Sequence, residues 1–195
     1  MNSRAPWWIA STLFLVLVPA QAASSEQVLT LDPSSTRVDF LLEATAHDVR
    51  GTFALKGGEV RFDPASGVAS GDITIDLTVA RTGNGSRDKT MHREVLETPK
   101  FPTAVFRARK LLGTLEPSGT SKVTLQGVLT FHGADHPLSL PADVRRAGDR
   151  LTGQTEFDIP FVEWGLHDPS IFVLRVSKTV RVTVRTEGTV RPAGS

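Results

Sequence analysis

Asp72-Ile73-Thr74-Ile75-Asp76-Leu77-Thr78-Val79 alternates polar and apolar side chains without a break. A period of two puts Ile73, Ile75, Leu77 and Val79 on one face of an extended strand and the acids and threonines on the other. The same signal repeats on both sides of it. Upstream lie Val38/Phe40/Leu42 and Val49/Gly51/Phe53/Leu55, with Val60/Phe62 following Gly57-Gly58. Downstream lie Ala104/Phe106/Ala108, Val123/Leu125/Gly127/Leu129/Phe131, Leu138/Leu140, Leu151/Gly153/Thr155/Phe157, Phe172/Leu174/Val176 and Val180/Val182/Val184. Turn clusters separate the runs at Asp63-Pro64-Ala65-Ser66-Gly67, Glu116-Pro117-Ser118-Gly119 and Ala147-Gly148-Asp149. Eight or nine short antiparallel strands predict an all-β fold, and closure into an eight-stranded barrel removes the exposed edges an open sheet would leave. Such a barrel is just wide enough to be filled by side chains or to hold one small ligand.

Residues 86–97 break the period. Met91 and Val95 stand four apart among charged positions, which predicts a short amphipathic helix, capped by Asn84 or Ser86 and stopped by Pro99. The N-terminus reads as an address. Arg4 precedes an apolar run from Trp7 to Val18, and Ala20-Gln21-Ala22 forms a small-x-small cleavage site, so residues 1–22 are expected to be a secretory signal peptide. The apolar run is shorter than the roughly 20 residues of a spanning helix. Residues 23–191 are then expected to form one domain and 192–195 a loose tail.

Composition narrows the function. Lys and Arg total 22 against 21 Asp and Glu, and loss of Arg4 with the signal peptide leaves the two signs equal. That balance argues against nucleic acid as a partner. Cysteine is absent, which excludes disulfides, thiol nucleophiles and Cys-based metal sites. A lipid-facing barrel needs aromatic girdles, yet residues 23–195 hold one Trp, Trp164, and no Tyr. The chain is therefore not expected to span a membrane.

No hydrolase nucleophile elbow, zinc-protease helix, phosphate loop or dinucleotide fingerprint is present, so neither catalysis nor a cofactor is expected. His132-Gly133-Ala134-Asp135-His136 has the spacing of a metal pair only on a helix. Following a strand at a glycine turn, it reads as hydrogen bonding instead, and no metal is expected. His47 and His92 stand alone in the sequence. Asp72 and Asp76 read as the solvated face of their strand. Asp88 suits the positive end of the helix, which leaves Arg87 either to lock the preceding loop or to meet an anionic head group.

What remains is apolar capacity. Phe40, Phe53, Phe62, Ile75, Phe106, Leu129, Phe131 and Phe157 share the inward parity and are the candidate ligand-contacting residues. Trp164, His47 and Arg87 are candidates for the barrel mouth or for a polar head. Gly51, Ala104, Ala108, Gly127 and Gly153 lie on the same faces, where small residues either leave a cavity or relieve curvature.

An ordered series of motifs then carries a resemblance. It comprises Leu31-Asp32-Pro33, Val38-x-Phe40, His47 with Val49-Arg50-Gly51-Thr52-Phe53, Phe62-Asp63-Pro64, and Thr82-Gly83-Asn84 with Arg87-Asp88. Phe101-Pro102 with Phe106, and Gly127-x-Leu129-Thr130-x-His132-Gly133 with Pro137, complete it. From about Leu31 to Val190 the chain resembles the YceI-like family of lipocalin-like periplasmic barrels, described as polyisoprenoid- or lipid-binding. The resemblance implies an elongated apolar ligand inside the barrel, with no chemistry done on it, in a periplasmic protein. Phe161-Val162-Glu163-Trp164-Gly165-Leu166-His167-Asp168-Pro169-Ser170 stands where the better-known branch often has Arg-x-Asp-Phe-Gly. This segment marks a separate branch and is placed to close one barrel mouth. A packed barrel that meets a protein partner through 161–170 or the helix is the alternative. The two part on whether the interior is empty.

Overall fold

Alternation of this length requires every strand to find two neighbours, and the computed structural model shows how they do so. It describes residues 26–170 and 175–194; the expected signal peptide, and Phe172 and Leu174 of one expected strand, lie outside the described residues. Nine strands are described: β1 (Gln27–Leu31), β2 (Arg37–Leu42), β3 (Val49–Phe62), β4 (Ala69–Arg81), β5 (Thr103–Leu112), β6 (Gly119–Phe131), β7 (Ala134–Ala147), β8 (Arg150–Ile159) and β9 (Val180–Pro192). All pairings are antiparallel, and β3 pairs β4 to close the ring. β1 and β2 each lie between β3 and β9, one after the other, so they form a single stave interrupted at 32–36. Nine strands thus make an eight-stave barrel.

Extra residues in the ladders adjust the faces. β3 shifts register between Leu55 and Gly57, beside the diglycine, so the buried parity passes from Leu55 to Val60 and Phe62. β5 shifts between Ala108 and Lys110, and inward parity resumes at Leu111. In β4 the expected face holds through Leu77 and then switches: Ala80 is buried and Val79 is exposed, a correction to the simple alternation. The outer faces carry charged pairs such as Lys122–Asp143 at 2.9 Å and Arg181–Asp158 at 3.2 Å.

The helix is shorter than its predicted span. α1 (Gly85–Thr90) starts at Asn84, whose side chain accepts from the Arg87 N–H at 3.1 Å. From Met91 to Val95 the chain continues as a π-helical turn, in which Leu96 N–H reaches the Met91 carbonyl at 2.8 Å. The His92 ring ties this turn down, with Nε2 2.8 Å from the Ala80 carbonyl and Nδ1 3.3 Å from Thr98 Oγ1. Met91 and Val95 pack against the core as their spacing requires. Val176 forms only an isolated bridge with Ala44, not a strand. At the C-terminus β9 runs through Pro192 and Ala193 N–H donates to the Glu26 carbonyl at 2.9 Å, so 192 and 193 are not loose.

Candidate functional site

The two halves of the barrel interior are built differently. The half under the helix is filled. Phe40 packs on Phe53 with ring centroids 4.9 Å apart and covers Gly51, its cross-strand partner. Residues 160–166 enter the same end as a single tight turn. Leu166 N–H reaches the Phe161 carbonyl at 3.0 Å and Gly165 N–H reaches that of Val162 at 3.1 Å, with Gly165 at φ +88°. This is a Schellman closure, and its two hydrophobic ends, Phe161 and Leu166, are both buried.

The turn meets a seam in the wall. β7 pairs β8 only from Ala142 to Ala147, so β7 from Ala134 to Pro141 is bonded to β6 alone and β8 from Glu156 to Ile159 to β9 alone. Pro137 and Pro141, which lack an N–H, lie on the unpaired stretch, where proline costs no ladder bond. At its start the inward-facing His136 stacks flat on Trp164, centroids 3.8 Å apart and 8° between planes, and Trp164 sits edge-on to Phe131.

The other half is hollow. A cavity of about 200 Å³ lies toward the β3–β4 and β5–β6 connections, and Leu115 of the latter borders it. Its wall is almost entirely aliphatic, with Phe62, Phe106 and Phe157 as the aromatic members and Thr36, Gln154, Thr155 and Thr186 as the polar ones. The interior is therefore not packed solid. Phe62, Ile75, Phe106, Leu129 and Phe157, all candidates from the sequence, border the cavity.

The remaining candidates lie elsewhere. Phe40, Phe53, Phe131 and Trp164 belong to the filled half. His47 is exposed in the β2–β3 connection. Arg87 is spent locally: Nε donates to Thr82 Oγ1 at 2.7 Å and a terminal nitrogen donates to the Thr82 carbonyl at 3.0 Å. Asp88 completes that lock, accepting from Thr82 N–H at 2.8 Å and its hydroxyl at 2.5 Å. Of the two readings of Arg87, the geometry realises the structural one.

His132 and Asp76 are similarly occupied. His132 Nε2 lies 2.7 Å from Glu97 Oε2 and its ring packs on Phe101, so the two imidazoles of the 132–136 segment serve different neighbours. His132 and Gly133 form a two-residue hairpin in which both φ angles are positive, +51° and +79°. Asp76 accepts from the Thr78 hydroxyl and N–H, bonds that hold its carboxyl below the usual range.

Comparison with known proteins accords with this architecture. The model of the YceI-like domain matches residues 29–188. The chain belongs to the YceI-like domain family. Among its relatives, a UPF0312 protein of Vibrio vulnificus is 26% identical over 185 residues, covering 92% of this chain and 96% of that one. In structure the YceI-like barrel resembles a polyisoprenoid binding domain from Saccharophagus degradans, with TM-score 0.68 and 19% identity over 84% of this chain and 98% of that one. It also resembles Burkholderia cenocepacia BcnA, with TM-score 0.66 and 19% identity over 80% and 98%. At such identity the likeness speaks to the fold. Two features of this YceI-like chain escape a strand-by-strand reading. The cavity-bordering threonines 36 and 186 do not stand out, because Thr also favours strands on polar faces. The seam had a visible signal in Pro137 and Pro141, four residues apart in an otherwise regular strand.

Proposed function

We propose that this protein holds an elongated apolar molecule, an isoprenoid or a similar lipid-like chain, inside its barrel and performs no chemistry on it. The observation that carries this reading is the cavity, about 200 Å³ behind an aliphatic wall. An apolar void of about 150 Å³ stays dry and takes up benzene, so this one seats a short hydrocarbon segment. The rest of a longer chain extends past Leu115 toward the adjacent barrel end. Each buried CH₂ contributes roughly 0.8 kcal/mol, which lets a long chain offset an association cost on the order of 4–15 kcal/mol. The binding described for the Saccharophagus degradans domain supports the same ligand class. The N-terminal Arg4, apolar run and Ala20-Gln21-Ala22 support export to the periplasm with removal of residues 1–22.

Mass spectrometry of organic extracts from protein purified out of its native periplasm tests the reading. A stoichiometric apolar molecule is expected. Extracts that hold none, from protein shown to be folded, would overturn it.

A further inference from the structure

The stretch where β7 and β8 part is kept open by its own sequence. In the unbroken β6–β7 ladder, successive residues of β7 turn their backbone groups to β6 and to β8 in alternation. Residues 137, 139 and 141 share one parity. Two of them are prolines, which have no N–H to give to β6, so this parity faces β8. Continued without a shift, the β7–β8 register would set Pro141 opposite Glu156, Ser139 opposite Asp158 and Pro137 opposite Pro160. Three of the six residues in those pairs are prolines, so half of the N–H donors that would zip the seam are missing.

Side chains close what the ladder leaves open. Leu138 and Leu140 on β7 and Phe157 on β8 all border the cavity, and the same register sets Leu140 opposite Phe157. At one end the opening stops at the paired Ala142 and Thr155. At the other, His136 stacks on Trp164 of the turn that follows β8, and His136 Nε2 is buried there without a hydrogen-bond partner. Apolar contacts are individually weak and non-directional, so these side chains can part and close again without breaking a backbone hydrogen bond. The barrel end under the helix offers no such route, because the Phe40–Phe53 pair and the 160–166 turn fill it.

We propose that the β7–β8 seam is a lateral portal through which an elongated apolar ligand enters and leaves the cavity broadside. Leu138, Leu140 and Phe157 are its leaves, and the His136–Trp164 stack is its latch. The inference rests on the carrier reading and adds the route by which the cavity fills. A slot in the wall suits a long flexible chain, which then need not thread a closed ring end first.

The test exploits the absence of native cysteine. In Ser139→Cys/Asp158→Cys, with both positions exposed on the outer face, a short bismaleimide bridges the seam and intact mass confirms the bridge. Uptake and release of retinol, a fluorescent isoprenoid alcohol, are followed by stopped flow. The bridge is expected to slow association and dissociation about tenfold each and to leave the dissociation constant unchanged, the signature of a gated route. The same bridge in Arg145→Cys/Thr152→Cys, where the strands are already paired, is expected to leave both rates at their unbridged values. Trp164→Ala, which removes the latch, is expected to speed both rates about threefold; wild-type rates in that variant would overturn the latch. Unchanged association across the bridged seam, or equal slowing by the two bridges, would overturn the portal and leave the carrier reading intact. Failure of retinol to bind the folded wild type would instead overturn the carrier reading, and the portal with it.

Discussion

Gly51 and Gly153 sit on inward faces at opposite halves of the same barrel, and their surroundings differ. A Cβ on Gly51 would fall 2.2 Å from the Phe40 ring and 2.6 Å from the Arg81 carbonyl oxygen. A Cβ on Gly153 would meet Val144 and Thr186 at 3.4 and 3.5 Å, ordinary contact distances. One glycine receives an aromatic ring, and the other borders a void. The contrast extends to the neighbours, for rings and an inserted turn fill the half under the helix, while mostly aliphatic side chains surround the cavity. A barrel of this size need not choose between packing itself and binding something. It packs one half to stay folded and leaves the other half free.

Gly51→Val puts the largest strain on that division. Overpacking against both a ring and a backbone carbonyl is expected to destabilise the fold by about 3 kcal/mol, read as a lower denaturation midpoint in guanidinium at constant slope. Trp164→Ala comes next. It removes the His136 stack and the contact with Phe131 from a half-buried position, with an expected loss of about 2 kcal/mol. Because Trp164 does not border the cavity, 1-octanol affinity should hold in this variant. A parallel fall in affinity would show that the two halves are coupled. Gly153→Val is expected to have the smallest effect on stability, within about 1 kcal/mol, since Val favours strands and the added Cβ meets its neighbours at ordinary contact distances. The same variant should weaken 1-octanol binding about tenfold by narrowing the chamber, and unchanged binding would place the ligand elsewhere.

Much of this division was legible as a list of faces but not as a map. Alternation identified Phe40, Phe62, Phe106, Phe131 and Leu129 as inward residues, and all are buried. It misplaced Val79, because one irregularity in a ladder reverses every later side chain, and nothing in Leu77-Thr78-Val79-Ala80 announces it. Which small residue becomes a void is less legible still. Gly51 is filled because the β2–β3 register sets Phe40 opposite it, and that register is a property of two strands together. Arg87 was open to two uses for the same reason. Its partner Thr82 lies five residues away, but whether the loop folds back to meet it depends on Asn84 capping the helix between them. The segment 161–170 was expected to close one mouth, and its turn does enter the barrel, held by the glycine at its sixth residue from Pro160.

The interrupted stave has a consequence for how the chain is made. β1 and β2, the first described strands in chain order, both take one of their two neighbours from β9, the last described. Until Val180–Pro192 exists, the first stave has an open edge, and so does β8 on the other side of the gap. Closure joins opposite ends of the sequence, the slowest kind of contact to form. The ring therefore cannot close until Val180–Pro192 has docked between the first stave and β8. Loss of Val180–Pro192 would not trim this protein; it would leave the barrel unzipped.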